Sequence, residues 1–173
     1  GNRDLYVIPT EGGRPRRITW HPGSEEMIDW TPDGKNLIFR SRSEQPHRSY
    51  ELYSVPAEGG DPEKLPLGWA SRIDIDPAGG RWAFNRSERE NATWKRYRGG
   101  TASDIWVGDP ADGDYRQVTD FAGADAFPMW HGGRIYFLSD QGGTANLWSI
   151  APDGTDRTRH TEFDEWDARW PAM

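Results

Sequence analysis

The chain has 173 residues, a formal charge of −7 and no cysteine, and only 34% of it is hydrophobic, against roughly 45–50% in an average domain when Gly is counted. That length holds one domain with a sizeable core, the acidity argues against nucleic acid as the main partner, and the lack of thiols excludes disulfides and thiolate metal sites. No apolar run reaches the ~20 residues of a membrane helix, so no membrane partner is expected, and the 10 Trp, 20 Gly and 13 Pro suit short strands joined by tight turns.

From the N-terminus, Leu5-Tyr6-Val7-Ile8-Pro9 reads as a strand, Glu11-Gly12-Gly13 as a hairpin turn and Arg17-Ile18-Thr19 as a polar strand ending on Thr. A second pattern follows: Met27-Ile28-Asp29-Trp30, the turn Thr31-Pro32-Asp33-Gly34, and Leu37-Ile38-Phe39-Arg40-Ser41. The first pattern returns as Leu52-Tyr53-Ser54-Val55-Pro56, Glu58-Gly59-Gly60 and Glu63-Lys64-Leu65, this time without the Thr. Ile73-Asp74-Ile75-Asp76-Pro77-Ala78-Gly79 and Trp82-Ala83-Phe84 repeat the second pattern. Ile105-Trp106-Val107-Gly108-Asp109-Pro110, Asp112-Gly113 and Gln117-Val118-Thr119 repeat the first. Phe127-Pro128-Met129-Trp130 with Ile135-Tyr136-Phe137-Leu138-Ser139, then Leu147-Trp148-Ser149-Ile150-Ala151-Pro152, Asp153-Gly154 and Arg159-His160-Thr161 complete the series. Alternating or short apolar runs fit strands with one or both faces buried, and the glycines supply the positive φ that tight hairpins need.

The first pattern recurs at a mean spacing of roughly 47 residues, near the ~40–50 of a four-stranded propeller blade. With strands A to D counted outward from the axis of such a ring, the chain reads C-D, then A-B-C-D three times, then A. The expected architecture is therefore all-β, a β-propeller of four-stranded antiparallel blades. A partial blade covers 1–20, complete blades cover 25–67, 71–120 and 125–163, and a last strand covers 164–173 with Trp166-Asp167-Ala168-Arg169-Trp170-Pro171. One strand B is missing even if the two ends share a blade, and the chain opens on Gly1-Asn2. We expect a fragment of a larger ring, or a chain that completes itself by association.

The A–B and C–D turns of this topology lie on one face and are tight. The B–C and D–A connections lie on the other and are long, above all 87–103. Long loops on a rigid scaffold are where binding usually lives. This one carries Thr93-Trp94-Lys95-Arg96-Tyr97-Arg98-Gly99-Gly100, three cations and two aromatics in an acidic chain. Trp94, Lys95, Arg96, Tyr97 and Arg98 are the candidate peptide or channel contacts, since the cations would attract a carboxylate or an acidic peptide. In the plainer reading Trp94 and Tyr97 pin the loop to its blade and the cations pair with Glu88, Glu90 or Asp104. Nucleic-acid binding by stacking and phosphate contact lacks a second basic stripe to support it.

His21 and His47 fall in long loops, His131 in a tight turn and His160 in an outer strand. With no Gly-x-Ser-x-Gly elbow and no paired-His spacing, they predict no catalytic residue, no metal site and no cofactor. Trp30, Trp130 and Trp170 recur at the end of strand A, and Trp106 and Trp148 in strand C, a recurrence that predicts packing between blades. Asn91-Ala92-Thr93 matches a glycosylation sequon, incidental in a cytoplasmic protein.

Pro32-Asp33-Gly34 followed by Ile38-Phe39, with the Leu-Tyr-x-x-Pro and Glu-Gly-Gly copies, resembles the WD40-like (PD40) repeat of the TolB and tricorn propellers. Trp94-Lys95-Arg96-Tyr97-Arg98-Gly99-Gly100-Thr101, running into Asp104-Ile105-Trp106, resembles the first, six-bladed propeller of the tricorn protease family, and Arg134-Ile135-Tyr136-Phe137-Leu138-Ser139-Asp140 supports the same placement. The resemblance implies a non-catalytic propeller of a cytoplasmic, homo-oligomeric serine peptidase. In that family it passes peptide substrates or products, and the remaining domains of the parent peptidase carry the chemistry. No catalytic residue is carried over, because the matching region is not in this chain. The alternative is a free-standing TolB-like propeller that scaffolds protein partners in the periplasm.

Overall fold

The computed structural model describes residues 2–44, 49–78, 80–87 and 95–172. The chain divides into two compact units, Gly1–Trp69 and Ala70–Met173. In the first, β1 (Tyr6–Val7) pairs with β2 (Arg16–Arg17), and β3 (Glu25–Trp30), β4 (Asn36–Ser41), β5 (Glu51–Pro56) and β6 (Glu63–Lys64) form a sheet in chain order. In the second, β7 (Arg72–Ile75), β8 (Trp82–Asn85), β9 (Ile105–Asp109) and β10 (Asp114–Gln117) form one sheet, and β11 (Asp125–His131), β12 (Arg134–Ser139), β13 (Asn146–Ile150) and β14 (Thr158–Arg159) another. Every pairing is antiparallel between consecutive strands. This is the all-β blade architecture expected from the repeat, in the expected C-D, A-B-C-D order.

The second strand of each four-stranded sheet is largely buried, because both its faces are covered. Leu37, Ile38 and Phe39 of β4, Ala83 and Phe84 of β8, and Ile135 and Phe137 of β12 are all nearly inaccessible. In the first unit Leu5, Ile18, Leu37, Phe39, Tyr53 and Val55 form one core. In the second, Ala83, Ile105 and Val107 of one sheet meet Trp130, Ile135, Phe137 and Ile150 of the next.

The recurring Thr has a defined task. Its hydroxyl accepts the N–H of the residue heading strand C: Leu5 from Thr19, Ile105 from Thr119 and Leu147 from Thr161, each at 2.9 Å. The side chain thus replaces a backbone rung, so each outer strand ends before the Thr rather than on it, as sequence had placed it. In the copy that lacks the Thr, Pro66 follows Leu65 at that position, while the preceding rung, Leu65 N–H to the Leu52 carbonyl, is kept at 2.8 Å.

Adjacent sheets are tied by backbone. Glu25 N–H donates to the Arg3 carbonyl at 2.9 Å, Asp125 N–H to Ser103 at 2.7 Å and Ala168 N–H to Ala145 at 2.8 Å. The third tie corrects the reading of residues 164–173. Over 164–172 the described residues form no strand, yet Ala168 occupies the position of Asp125. Two residues on, Trp170 (φ 54°) matches Phe127 (φ 59°), each ahead of a proline. In β11 that left-handed residue marks a bulge in the register between Ala126 and Met129. Trp170 is therefore the counterpart of Phe127, not of Trp130, and the two rings meet edge to face at 6.1 Å.

The tryptophans divide accordingly. Trp130 is buried, accepted by Asp74 through its backbone N–H at 2.6 Å and covered by the Arg81 guanidinium. Trp30 stays 43% exposed. Its counterpart packs on strands A and B of the preceding sheet, and the sheet preceding β3–β6 in its unit has only β1 and β2. His131 closes β11 at the mouth of the Gly132-Gly133 turn instead of lying within it.

Thr119→Val keeps the volume but leaves the buried Ile105 N–H unpaired. It should destabilise the chain by about 1–3 kcal/mol, read as a lower guanidinium unfolding midpoint.

Candidate functional site

Of the five residues singled out in the long β8–β9 connection, Trp94 lies outside the described residues, as do the proposed partners Glu88 and Glu90 and the sequon 91–93. The other four lie together against loops of the next sheet. Lys95 Nζ pairs with Asp167 at 2.8 Å. Arg96, in a left-handed conformation (φ 57°), donates through Nε to the Gly143 carbonyl at 2.9 Å. Arg98 Nη1 pairs with Asp140 at 2.7 Å while its guanidinium covers the Phe121 ring at 4.9 Å. Tyr97 Oη accepts from the Thr101 hydroxyl at 3.1 Å, folding the loop on itself.

The acidic partners are themselves held. Asp140 accepts the Ala124 N–H at 3.0 Å and Asp167 the Ala145 N–H at 3.1 Å. Burial raises the Asp167 carboxyl, but the Lys95 and Ala145 bonds outweigh it and keep it below the ordinary carboxylate range. Gly123 makes the room, since a Cβ there would land on the Arg98 guanidinium, the Asp140 carboxylate and the Phe121 ring. Among the described residues Lys95 and Arg98 pair with Asp167 and Asp140 rather than with Asp104, and the expected partners Glu88 and Glu90 lie outside the described residues. The Asp104 carboxylate instead accepts from the Thr119 hydroxyl, and its backbone carbonyl from the Asn85 amide; the described partners lie 42 and more residues downstream.

A second titratable cluster sits where β11 begins. Asp125 is wholly buried, and Arg157 Nη2 donates to both its oxygens, at 3.0 and 3.2 Å, and to Ser139. Burial raises the Asp125 carboxyl against the pull of Arg157. Burial, helped by the charge of Asp125, pushes Asp104 up to about 6. The cluster orders the start of a strand and offers no nucleophile.

The histidines do no better as catalysts. His47 is outside the described residues, and His21 Nδ1 accepts the Gly23 N–H at 2.9 Å. His160 Nε2 meets Ser149 Oγ at 2.8 Å, but Ser149 is inaccessible and already accepts from Arg134. No carboxylate orients that imidazole among the described residues, so the nucleophile–base–acid order of a serine hydrolase is not met. No three His, Cys, Asp or Glu side chains among the described residues could hold a metal ion.

Four-stranded antiparallel sheets in chain order, with backbone ties seating β3–β6 on the β1–β2 pair and β11–β14 on β7–β10, define this chain as β-propeller blades. It matches the tricorn protease N-terminal beta propeller domain over residues 1–173 and belongs to that family. It is 37% identical over 174 residues to Tricorn protease homolog 1 of Streptomyces coelicolor, covering 99% of this chain and 16% of that protein. It is 34% identical over 174 residues to the tricorn protease of Thermoplasma acidophilum, covering 96% and 16%. The crystal structure of the tricorn protease superposes with a TM-score of 0.80 at 32% identity, covering 95% of this chain and 16% of that one. TolB from Acinetobacter baumannii, at 20% identity and a TM-score of 0.74 over 96% of this chain and 39% of its own, shares the fold alone. The chain spans 16% of the length of the tricorn relatives it matches.

Two outcomes follow from this geometry. Gly123→Ala should cost about 1–3 kcal/mol by overpacking and speed chymotryptic cleavage at Tyr97, whereas Arg98→Gln should speed cleavage while costing at most about 1 kcal/mol. Asp104 holds a proton in the folded state that the unfolded chain releases, so its cost to stability grows as pH rises from about 4 to about 6 and persists above. Asp104→Asn should therefore raise stability by about 1–2 kcal/mol at pH 7.5 and leave it unchanged below pH 4, seen in unfolding midpoints at the two pH values.

Proposed function

We propose that this chain is a non-catalytic propeller segment of a tricorn-like serine peptidase. In this reading the propeller lines a passage for peptides made by intracellular protein breakdown and works with the remaining domains of a homo-oligomeric parent. The observation that carries it is the family match along the whole length, 1–173. The β8–β9 loop would form part of the rim. Lys95 keeps 59% of its side chain exposed while bound to Asp167, and Arg98 keeps 36%, so a passing carboxylate could exchange with the internal acids without either cation leaving its seat.

Replacing Lys95, Arg96 and Arg98 together by Gln in the full-length enzyme tests the rim. Turnover of acidic peptides should fall several-fold while neutral peptides are spared. Equal turnover of both would leave the loop a clamp between sheets and refute its contact with peptides.

A further inference from the structure

The first unit contains a cavity of about 340 Å³, within the range of small-ligand sites. It opens between β2 and the β3–β6 sheet, and Trp20, Glu25, Phe39, Glu44, Tyr53 and Asp61 line it. Three of these are carboxylates, three are aromatic, and no Lys or Arg is among the described lining residues. Phe39 and Tyr53 stack at 5.4 Å with planes 19° apart, giving one flat wall. Tyr53 Oη points toward Glu44 and Glu51, 3.2 Å from each, and burial followed by these two charges keeps the phenol protonated far above its ordinary range.

Glu25 sets the character of the site. It is 3% exposed. Its Oε2 accepts from the Thr19 hydroxyl at 3.0 Å, and no donor reaches Oε1 among the described residues. Burial raises this carboxyl and Asp4 adds to the rise, while Thr19, His21 and Arg17 counter it. Arg17 is not available to neutralise it, being paired with Asp4 at 2.8 Å and bound through Nε to the Thr19 carbonyl. The His21 ring is held by its own loop through Nδ1. A nearly buried carboxylate whose second oxygen faces a cavity lined by further acids is stabilised by a cation placed there. Among the described residues the acids do not converge as metal ligands do, and the stacked rings offer π faces that favour an organic cation.

We propose that this cavity binds a primary organic ammonium group, seated on Glu25 and against the Phe39–Tyr53 wall. The group is the α-ammonium of a peptide or the side-chain ammonium of a lysine. The inference stands on the cavity and does not rest on the passage reading.

Calorimetric titration of the full-length protein tests it, with n-butylammonium against its neutral counterpart n-butanol. Butylammonium should bind at least about tenfold more tightly, and Glu25→Gln, which keeps the bond to Thr19, should remove that preference. Butylammonium binding no better than butanol, or binding unchanged in Glu25→Gln, overturns the proposal. Should Glu25→Gln fail to fold, Glu44→Gln on the loop should weaken binding several-fold, and an unchanged affinity there overturns it equally. Trialanine amide and Nα-acetyl-lysine methylamide then separate the sources: tighter binding of the first assigns a peptide N-terminus, of the second a lysine side chain.

Discussion

Within each unit, a backbone N–H seats a segment on the sheet before it. The carbonyl that receives it lies two residues ahead of the Thr-bonded residue of strand C, at Arg3, Ser103 and Ala145; the donors Glu25 and Asp125 head β3 and β11, and Ala168 holds the same place in a segment that forms no strand. The rest is arranged around that bond. The head of strand C is fixed by the Thr hydroxyl, which places the accepting carbonyl. The donor residue is sealed from water, as in Glu25 and Asp125, so the bond forms where an unpaired group would be costly. Core side chains then fill the gap that the bond sets, as Trp130 does against Ala83 and Val107.

Around this scaffold the electrostatics follow one logic. An acidic chain keeps its scarce cations where they fasten one loop to another. Arg98 on Asp140, Lys95 on Asp167 and Arg157 on Asp125 each join segments far apart in sequence. Exposed pairs of this kind are individually weak, but several on one loop fix its course. The buried pair behaves differently: Asp125 without Arg157 would be an uncompensated interior charge. The cavity beside Glu25 is the exception in this pattern, a collection of acids with no Lys or Arg among its described lining residues.

The strands were readable from sequence because their cause is local. Alternating apolar residues and Gly turns gave four-stranded antiparallel sheets, and the spacing of the copies gave the blade. What failed to show had a nonlocal or conformational cause. The left-handed residue before proline at Phe127 and Trp170 is a backbone property that residue type conceals, and it shifted the alignment of the last segment. The partners of Lys95, Arg96 and Arg98 come from loops of the next sheet, so no spacing within their own loop could name them. Trp30 and Trp130 look alike in sequence, and only the presence of strands A and B on the preceding sheet buries one of them. The cavity was invisible because its lining comes from five separate segments, although the Thr19 that anchors Glu25 belonged to a motif already noted.

Because the ties join main chain to main chain, they are indifferent to the identity of the side chains but not to how many residues intervene. A single residue added between Ser103 and Ile105 would either turn the faces of β9 over or pull β11 off its seat. Many residues added between Asn85 and Ser103 would do neither, since that segment only has to leave one strand and return to the next. Such a chain can drift widely in composition while its short connections keep their count. The inherited part of the architecture is then a set of lengths, and the long connections are where new chemistry can be written without disturbing it.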